Sequence, residues 1–190
     1  MLQLKRSILV FAGLSIICGL IYPLIITAVS QTVFPRQSNA GIIQKGNIII
    51  GSRLIGQQFT RTEYFHGRPS ATDPSYDAGN SSGSNLAPSS AKLLEQVNAR
   101  IEKARQDYGL PANMPVPADL VLASASGLDP HISVEAALLQ APRIAGERKI
   151  PQSEIEKIVL QNTENPLLGI WGMQRVNVLQ LNIALDSKRI

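Results

Sequence analysis

From Ile8 to Val29 the chain runs almost unbroken through apolar side chains and carries no charge, beginning two residues after Lys5 and Arg6. As a helix rising about 1.5 Å per residue, these roughly 22 residues reach about 33 Å, enough to cross a hydrocarbon core of about 30 Å. All 14 acidic residues lie beyond this run, and no later apolar stretch approaches the roughly 18 residues that spanning requires. The pattern therefore predicts a short tail over residues 1–7, a transmembrane anchor over 8–30 and one soluble domain over 31–190. Lys5, Arg6 and the amino terminus outweigh Arg36 and Lys45 across the span, so the tail is expected in the cytoplasm and the domain outside it. A cleaved leader ending at the small-x-small trio Ala28, Val29, Ser30 is the alternative. The apolar run is longer than the 7 to 15 residues usual for a leader, and both readings put the domain on the same side.

Within the domain, Ile42-Ile43, Ile48 to Ile50 and Leu54-Ile55 alternate with glycine and predict two or three short strands turning at Lys45-Gly46 and Gly51. Residues 72–90 are rich in Ser, Gly, Asn, Asp and Pro and read as a long loop. The 3.6-residue period of Leu93, Leu94, Val97, Ile101, Ala104 and Tyr108 predicts a helix from Ser90 to Tyr108, stopped by Gly109 and Pro111. Ser133 is placed to cap a second helix through Glu135, Ala136 and Leu139, with a kink at Pro142. A third covers Pro151 to Thr163, with Ile155, Ile158 and Val159 inward and Asn165-Pro166 ending it. Val176 to Asp186 alternates and reads as a half-buried strand, with a bulge near Val178 where the phase changes. The fold class expected is α+β: a small sheet and about three helices behind a single N-terminal span.

Charge excludes one class of partner. The net charge is +4; setting aside Lys5 and Arg6 leaves 16 basic against 14 acidic residues, without a run, which is no nucleic-acid footprint. The only cysteine, Cys18, lies in the apolar run, so the domain has no disulfide and no cysteine metal cluster. About 155 residues bury roughly two thirds of their unfolded surface, enough for an unstapled core.

Two blocks carry more than pattern. One is Gly56-Gln-Gln-Phe-Thr60 with Tyr64-Phe-His-Gly-Arg-Pro-Ser-Ala71 and Ser84-Asn-Leu-Ala-Pro88. The other is Leu120-Val-Leu-Ala-Ser-Ala-Ser-Gly-Leu-Asp-Pro-His-Ile-Ser133, with Val176-Asn-Val-Leu-Gln-Leu-Asn-Ile-Ala-Leu-Asp186 closing the chain. With the Tyr22-Pro23 pair of the anchor, these strings resemble the C subunit of the Kdp potassium-transporting P-type ATPase over nearly the whole chain. Ser82 stands where that family often has glycine, and Val134 where it often has proline. The resemblance implies an accessory subunit of a high-affinity potassium uptake pump in the cell inner (plasma) membrane, needed for assembly. It implies as partners a channel-like potassium-binding subunit and a P-type ATP-hydrolysing subunit, beside membrane lipid. ATP and potassium are handled by the complex, with no cofactor of this chain's own. The family is also described as a catalytic chaperone that raises the ATP affinity of the hydrolysing subunit; an outer domain would act on a cytoplasmic ATP site only indirectly. The chain has no phosphate loop and no Asp-Lys-Thr-Gly sequence.

Read on their own chemistry, His66 and His131 with Asp129, Asp73 and the serines sketch a hydrolase. No Gly-x-Ser-x-Gly elbow surrounds Ser124 or Ser126, and the two histidines lack metal-ligand spacing. The plainer expectation is structural: His66 fixes the Gly67-Arg68-Pro69 turn, Arg68 pairs with an acid such as Asp129, and Ser84, Asn85, Ser124, Ser126, Gly127 and Asp129 shape loops or meet a partner. Tyr64, Asn177 and Asn182 join this set through the family strings. In the anchor, Ala12, Ser15 and Gly19 recur at i, i+3 and i+7 and form a small-residue face suited to a neighbouring helix. A membrane-anchored extracytoplasmic hydrolase or solute-binding domain acting alone is the competing reading.

Overall fold

The computed structural model describes residues 2–188, which form two compact units divided between residues 50 and 51. In the first, α1 (Leu2–Ile16), a π turn (Ile17–Ile21) and α2 (Tyr22–Val33) make one continuous helix. Its 32 residues have a mean hydropathy of 2.5 in their most apolar window, long and apolar enough to cross a membrane. The π turn has a local cause. Pro23 has no N–H, and its ring crowds the carbonyl four residues back, that of Gly19; the chain widens there, and Tyr22 N–H bonds to Ile17 O, five residues away. A wider turn rotates less per residue, so Gly19 falls more nearly below Ser15 than in a regular helix.

A short helix α3 (Pro35–Ser38) precedes the paired strands β1 (Ile42–Lys45) and β2 (Ile48–Ser52). The turn between them falls one residue later than expected, at Gly46, whose φ of 62° is left-handed, and Asn47. Leu54 and Ile55 form no third strand, and Gly51 lies inside β2 rather than in a turn.

The second unit packs α4 (Ala91–Tyr108), α5 (Ala118–Val121), α6 (Val134–Arg148), α7 (Gln152–Gln161) and α8 (Val178–Ser187) around a three-stranded antiparallel sheet. The sheet comprises β3 (His131–Ser133), β4 (Thr163–Glu164) and β5 (Arg175–Asn177) in the order β3-β5-β4, with Ile132 opposite Val176 and Thr163 opposite Val176 on the other side. Fold class is α+β as expected, with two small sheets rather than one. α4 begins at the Ser90 cap and ends at Gly109, which takes the left-handed conformation. Ser133 Oγ accepts from Ala136 N at 3.0 Å, capping α6, and α6 continues through exposed Pro142. Val134 opens the helix in place of proline. α7 buries Ile155, Ile158 and Val159 but ends at Gln161, before the expected Asn165-Pro166 stop, because β4 begins at Thr163. The core joins these to Phe65, Ile132, Ala136, Ala137, Ala141, Ile144, Val176, Leu181 and Leu185.

The closing segment corrects the sequence reading. Only Arg175–Asn177 is a strand; Val178–Ser187 is helix α8, capped by Asn177 Oδ1 accepting from Gln180 N at 3.1 Å. The phase change at Val178 marks a strand-to-helix junction, not a bulge. Val178, Leu181, Asn182 and Leu185 are buried at i, i+3, i+4 and i+7, with Leu179 buried beside them. The alternation misled because Asn182 reads as an outward polar residue, whereas it is 3% exposed.

Candidate functional site

Residues 53–90 contain no helix or strand, so their backbone groups must find partners among side chains. Phe65, fully buried, donates its N–H to Asn182 Oδ1 at 2.9 Å, and its carbonyl accepts from Asn182 Nδ2 at 3.0 Å. His66 repeats the arrangement with Gln140: N–H to Oε1 at 2.8 Å, and O from Nε2 at 3.1 Å. Two buried side-chain amides thus do for consecutive residues what a neighbouring strand would do. Arg143, one turn along α6 from Gln140, donates to the carbonyls of Thr62 and of Tyr64, the latter at 2.9 Å. Arg148 donates to Glu63 O at 2.8 Å and pairs with Asp186 at 2.8 Å, its guanidinium 4.8 Å from the Tyr64 ring centre. Tyr64 Oη donates to Asp186 Oδ2 at 3.0 Å.

The His66 ring does not brace the Gly67-Arg68-Pro69 turn, as the sequence suggested. Its Nε2 lies 3.1 Å from Arg61 O, and since a carbonyl only accepts, this nitrogen carries the proton. Burial, with help from the nearby Arg143 charge, pushes the His66 pKa down and favours the neutral ring. The turn is held instead by Tyr76, whose hydroxyl donates to Arg68 O at 2.5 Å. A Cβ on Gly67 would stand 2.6 Å from that hydroxyl oxygen, so any larger residue would have to displace the Tyr76 side chain.

Arg68 does pair with Asp129, Nη1 to Oδ2 at 3.0 Å. Asp129 Oδ1 accepts from His131 N at 3.0 Å, and the His131 ring stands 3.6 Å from both Asp129 and Glu164, which in turn takes Arg53 at 2.8 Å and Arg175 at 3.2 Å. Burial opposes ionisation of Asp129, but the hydrogen bonds of His131 and the charge of Arg68 outweigh it and hold the carboxyl below its usual range. Glu164 is likewise held low by Arg53 and Arg175 against its own desolvation.

The remaining motif residues knit the two blocks together. Ser70 Oγ donates to Gly127 O at 2.8 Å and accepts from Thr72 N and Tyr76 N. Ser126 Oγ accepts from Leu128 N at 3.1 Å and lies 3.4 Å from Ser124 Oγ, while Ser126 O accepts from Ser82 N and Ser81 Oγ. Gly127 has a φ of 67°, and a Cβ there would lie 2.7 Å from Ser82 O. Asn177 Nδ2 donates to Arg53 O at 2.9 Å. Ser84 and Asn85 stand apart from this web and are exposed, Asn85 in the left-handed region with φ 50°. Ala12, Ser15 and Gly19 belong to the other unit and are exposed along its helix.

Beside the motif lies a cleft of about 380 Å³ lined by His66, Arg68, Tyr76, Arg100, Lys103 and Tyr108 among others. Its cations are occupied: Arg100 donates to Val121 O at 2.9 Å, and Lys103 lies 3.5 Å from Asp107. Burial pushes Tyr76 and Tyr108 up to about 12, so both keep their phenol protons. Among the described residues no cluster of three metal-ligating side chains forms. Gln140, Arg143, Arg148 and Asp186 escaped the sequence reading. Gln140 left a trace, a polar residue on the apolar stripe of Ala136, Ala137, Ala141 and Ile144.

Residues 4–187 match the family described as K+-transporting ATPase, c chain. The chain belongs to that family. A potassium-transporting ATPase KdpC subunit from Dechloromonas aromatica (strain RCB) is 47% identical over 186 residues, covering 97% of this chain and 96% of the relative. Proteins of the same name from Ralstonia nicotianae (strain ATCC BAA-1114 / GMI1000) and Mycobacterium tuberculosis (strain ATCC 25177 / H37Ra) are each 45% identical; both matches cover 97% of this chain, and they cover 90% and 97% of the relatives. Membership in a transport-ATPase subunit family fits the one membrane-length apolar helix among the described residues.

Proposed function

We propose that this chain is an accessory subunit, without a catalytic site of its own, of an ATP-driven high-affinity potassium pump in the inner membrane. Its amino terminus faces the cytoplasm, and its domain lies outside. The anchor packs against a channel-like potassium-binding subunit, and a P-type subunit hydrolyses ATP; any rise in ATP affinity reaches that subunit through the membrane assembly. The observation that supports this reading is where the motif groups end. Asn182, Gln140, Arg143, Arg148, Ser70 and Ser126 bind main-chain N–H and C=O groups, which is the work of shaping a surface. A general acid or base instead needs reach to a reacting proton. The test is ATP hydrolysis and potassium uptake by the assembled pump, normalised to complex, with His66→Ala and Asp129→Asn. Activity falling only as far as assembly falls supports an accessory role. A fully assembled, normally stable complex with turnover lower by about 10² to 10⁴ refutes it.

A further inference from the structure

The connection between β4 and β5, residues 165–174, carries no charged side chain and exposes the densest apolar group of the second unit. Leu167, Leu168, Ile170, Trp171 and Met173 are 70%, 77%, 75%, 63% and 83% exposed. The tip is ordered by its own backbone. Leu167 N donates to Trp171 O at 2.9 Å, Trp171 N returns to Leu167 O at 3.1 Å, and Leu168, Gly169 and Gly172 take positive φ. At the base, Gln174 Nε2 donates to Asn165 Oδ1 at 3.0 Å. The side chains are therefore presented outward by a folded turn.

An apolar patch of this kind marks a surface that something covers, and size and tether choose between occupants. A stable protein interface buries about 800 Å² per partner from some 20 to 30 residues a side; five tip side chains fall well short. The other exposed large apolar residues of this unit, Leu54, Leu94, Met114, Leu122 and Leu160, fall singly on separate segments of the chain. Shallow seating in a bilayer needs only such a tip, because affinity grows with the apolar area inserted. The same chain carries a membrane-length helix ending at Val33, and residues 34–50 reach no more than about 60 Å even when extended. Tryptophan favours the head-group level. At the loop base Arg53 and Arg175, 54% and 58% exposed, flank the single carboxylate of Glu164, which leaves net positive charge toward anionic lipid.

We propose that the 165–174 hairpin loop seats on the membrane surface, with Trp171 and its aliphatic neighbours among the lipid head groups and upper acyl chains. Trp171 is the chain's only tryptophan, so its fluorescence reports this loop alone. The full-length chain is reconstituted into phosphatidylcholine and phosphatidylglycerol vesicles, with and without bromine on the acyl chains. A blue-shifted emission that brominated lipid quenches is expected. Leu168→Asp with Ile170→Asp, which retains Trp171, should lose most of both effects. Water-like, unquenched emission overturns the proposal, as does quenching that the double variant leaves unchanged. Flotation with the vesicles checks the anchor separately from the loop. In the assembled pump, a photoreactive diazirine side chain placed at Met173 should cross-link to lipid; adducts to another polypeptide, or none to lipid, overturn it.

Discussion

Replacing Asn182 by leucine keeps the size of the side chain and removes both partners of the Phe65 backbone. Phe65 is fully buried, so no water reaches the stranded N–H and C=O without moving the segment. Each unsatisfied buried group costs roughly 1 to 3 kcal/mol, and the added apolar burial returns about 1. The expected loss is about 1 to 5 kcal/mol, which for a domain of this size lowers Tm by something like 3 to 20 °C. Gln140→Met makes the same change one residue along, at His66, and also removes the 3.1 Å acceptor of Arg143. The two substitutions release adjacent residues of one segment, so together they should cost clearly less than the sum of the singles. Thermal unfolding of the detergent-solubilised full-length chain, followed by far-ultraviolet circular dichroism, measures all three. A change under about 0.5 kcal/mol for Asn182→Leu, the range of ordinary surface substitutions, would refute the view that this amide stands in for a strand partner. Additive losses would refute the coupling.

Acid should weaken the domain through His66. Its folded pKa is depressed below 6.5 by burial, so between the two values the unfolded chain binds the extra proton and stability falls as pH drops from about 6.5; His66→Gln should flatten that dependence in unfolding curves taken across this range. Asp129 and Glu164, both held low, stabilise above the usual carboxylate range and lose that contribution only at lower pH. Gly19→Leu meets nothing within 4 Å inside this chain, so it should leave the isolated chain unchanged but reduce co-purification with the polytopic subunits, whereas Ile17→Leu should not; equal recoveries remove the small-residue face from the interface. A reporter active only outside the cytoplasm, fused after Ile190, should be active, with the chain resisting carbonate extraction, and an inactive fusion reverses the orientation.

Legibility from sequence followed the physics of each segment. The N-terminal helix announced itself by its unbroken apolar run, α7 by one periodic face, and α4 by a periodic face with standard caps, Ser90 and Gly109. The Arg68–Asp129 pair was also within reach, since a guanidinium held between Gly67 and Pro69 is well placed to meet an acidic group. The end of the chain was not. Residues that alternate apolar and polar fit a strand unless one of the polar positions is itself buried, and Asn182 is buried because it serves Phe65, more than a hundred residues earlier. Local pattern carries no trace of that partnership. Arg143 was missed for the same reason, while Gln140 left only its place on the apolar stripe of α6; the π turn was missed because Pro23 acts on the carbonyl of Gly19, four residues back, and only the helix geometry exposes that contact.

A string such as Tyr-Phe-His-Gly-Arg-Pro-Ser-Ala is dense in groups that catalysis uses, and so is any backbone that folds without a ladder. Residues 53–90 have neither helix nor strand, and a buried main chain without partners is too costly to persist. Hydroxyls, amides and guanidinium groups are the substitutes, and each can end either on a substrate or on the chain. Here Ser70 joins Gly127, Thr72 and Tyr76, and Ser126 takes Leu128 N while its carbonyl holds Ser81 and Ser82. The two motif blocks thus close on each other, with α6 and α8 behind them. A polar group already committed to the main chain loses geometry when it is removed, and its neighbours lose theirs with it. Substitutions across both blocks should therefore share one signature, lost stability and lost assembly in proportion, rather than the single deep defect that follows when one reacting group is removed.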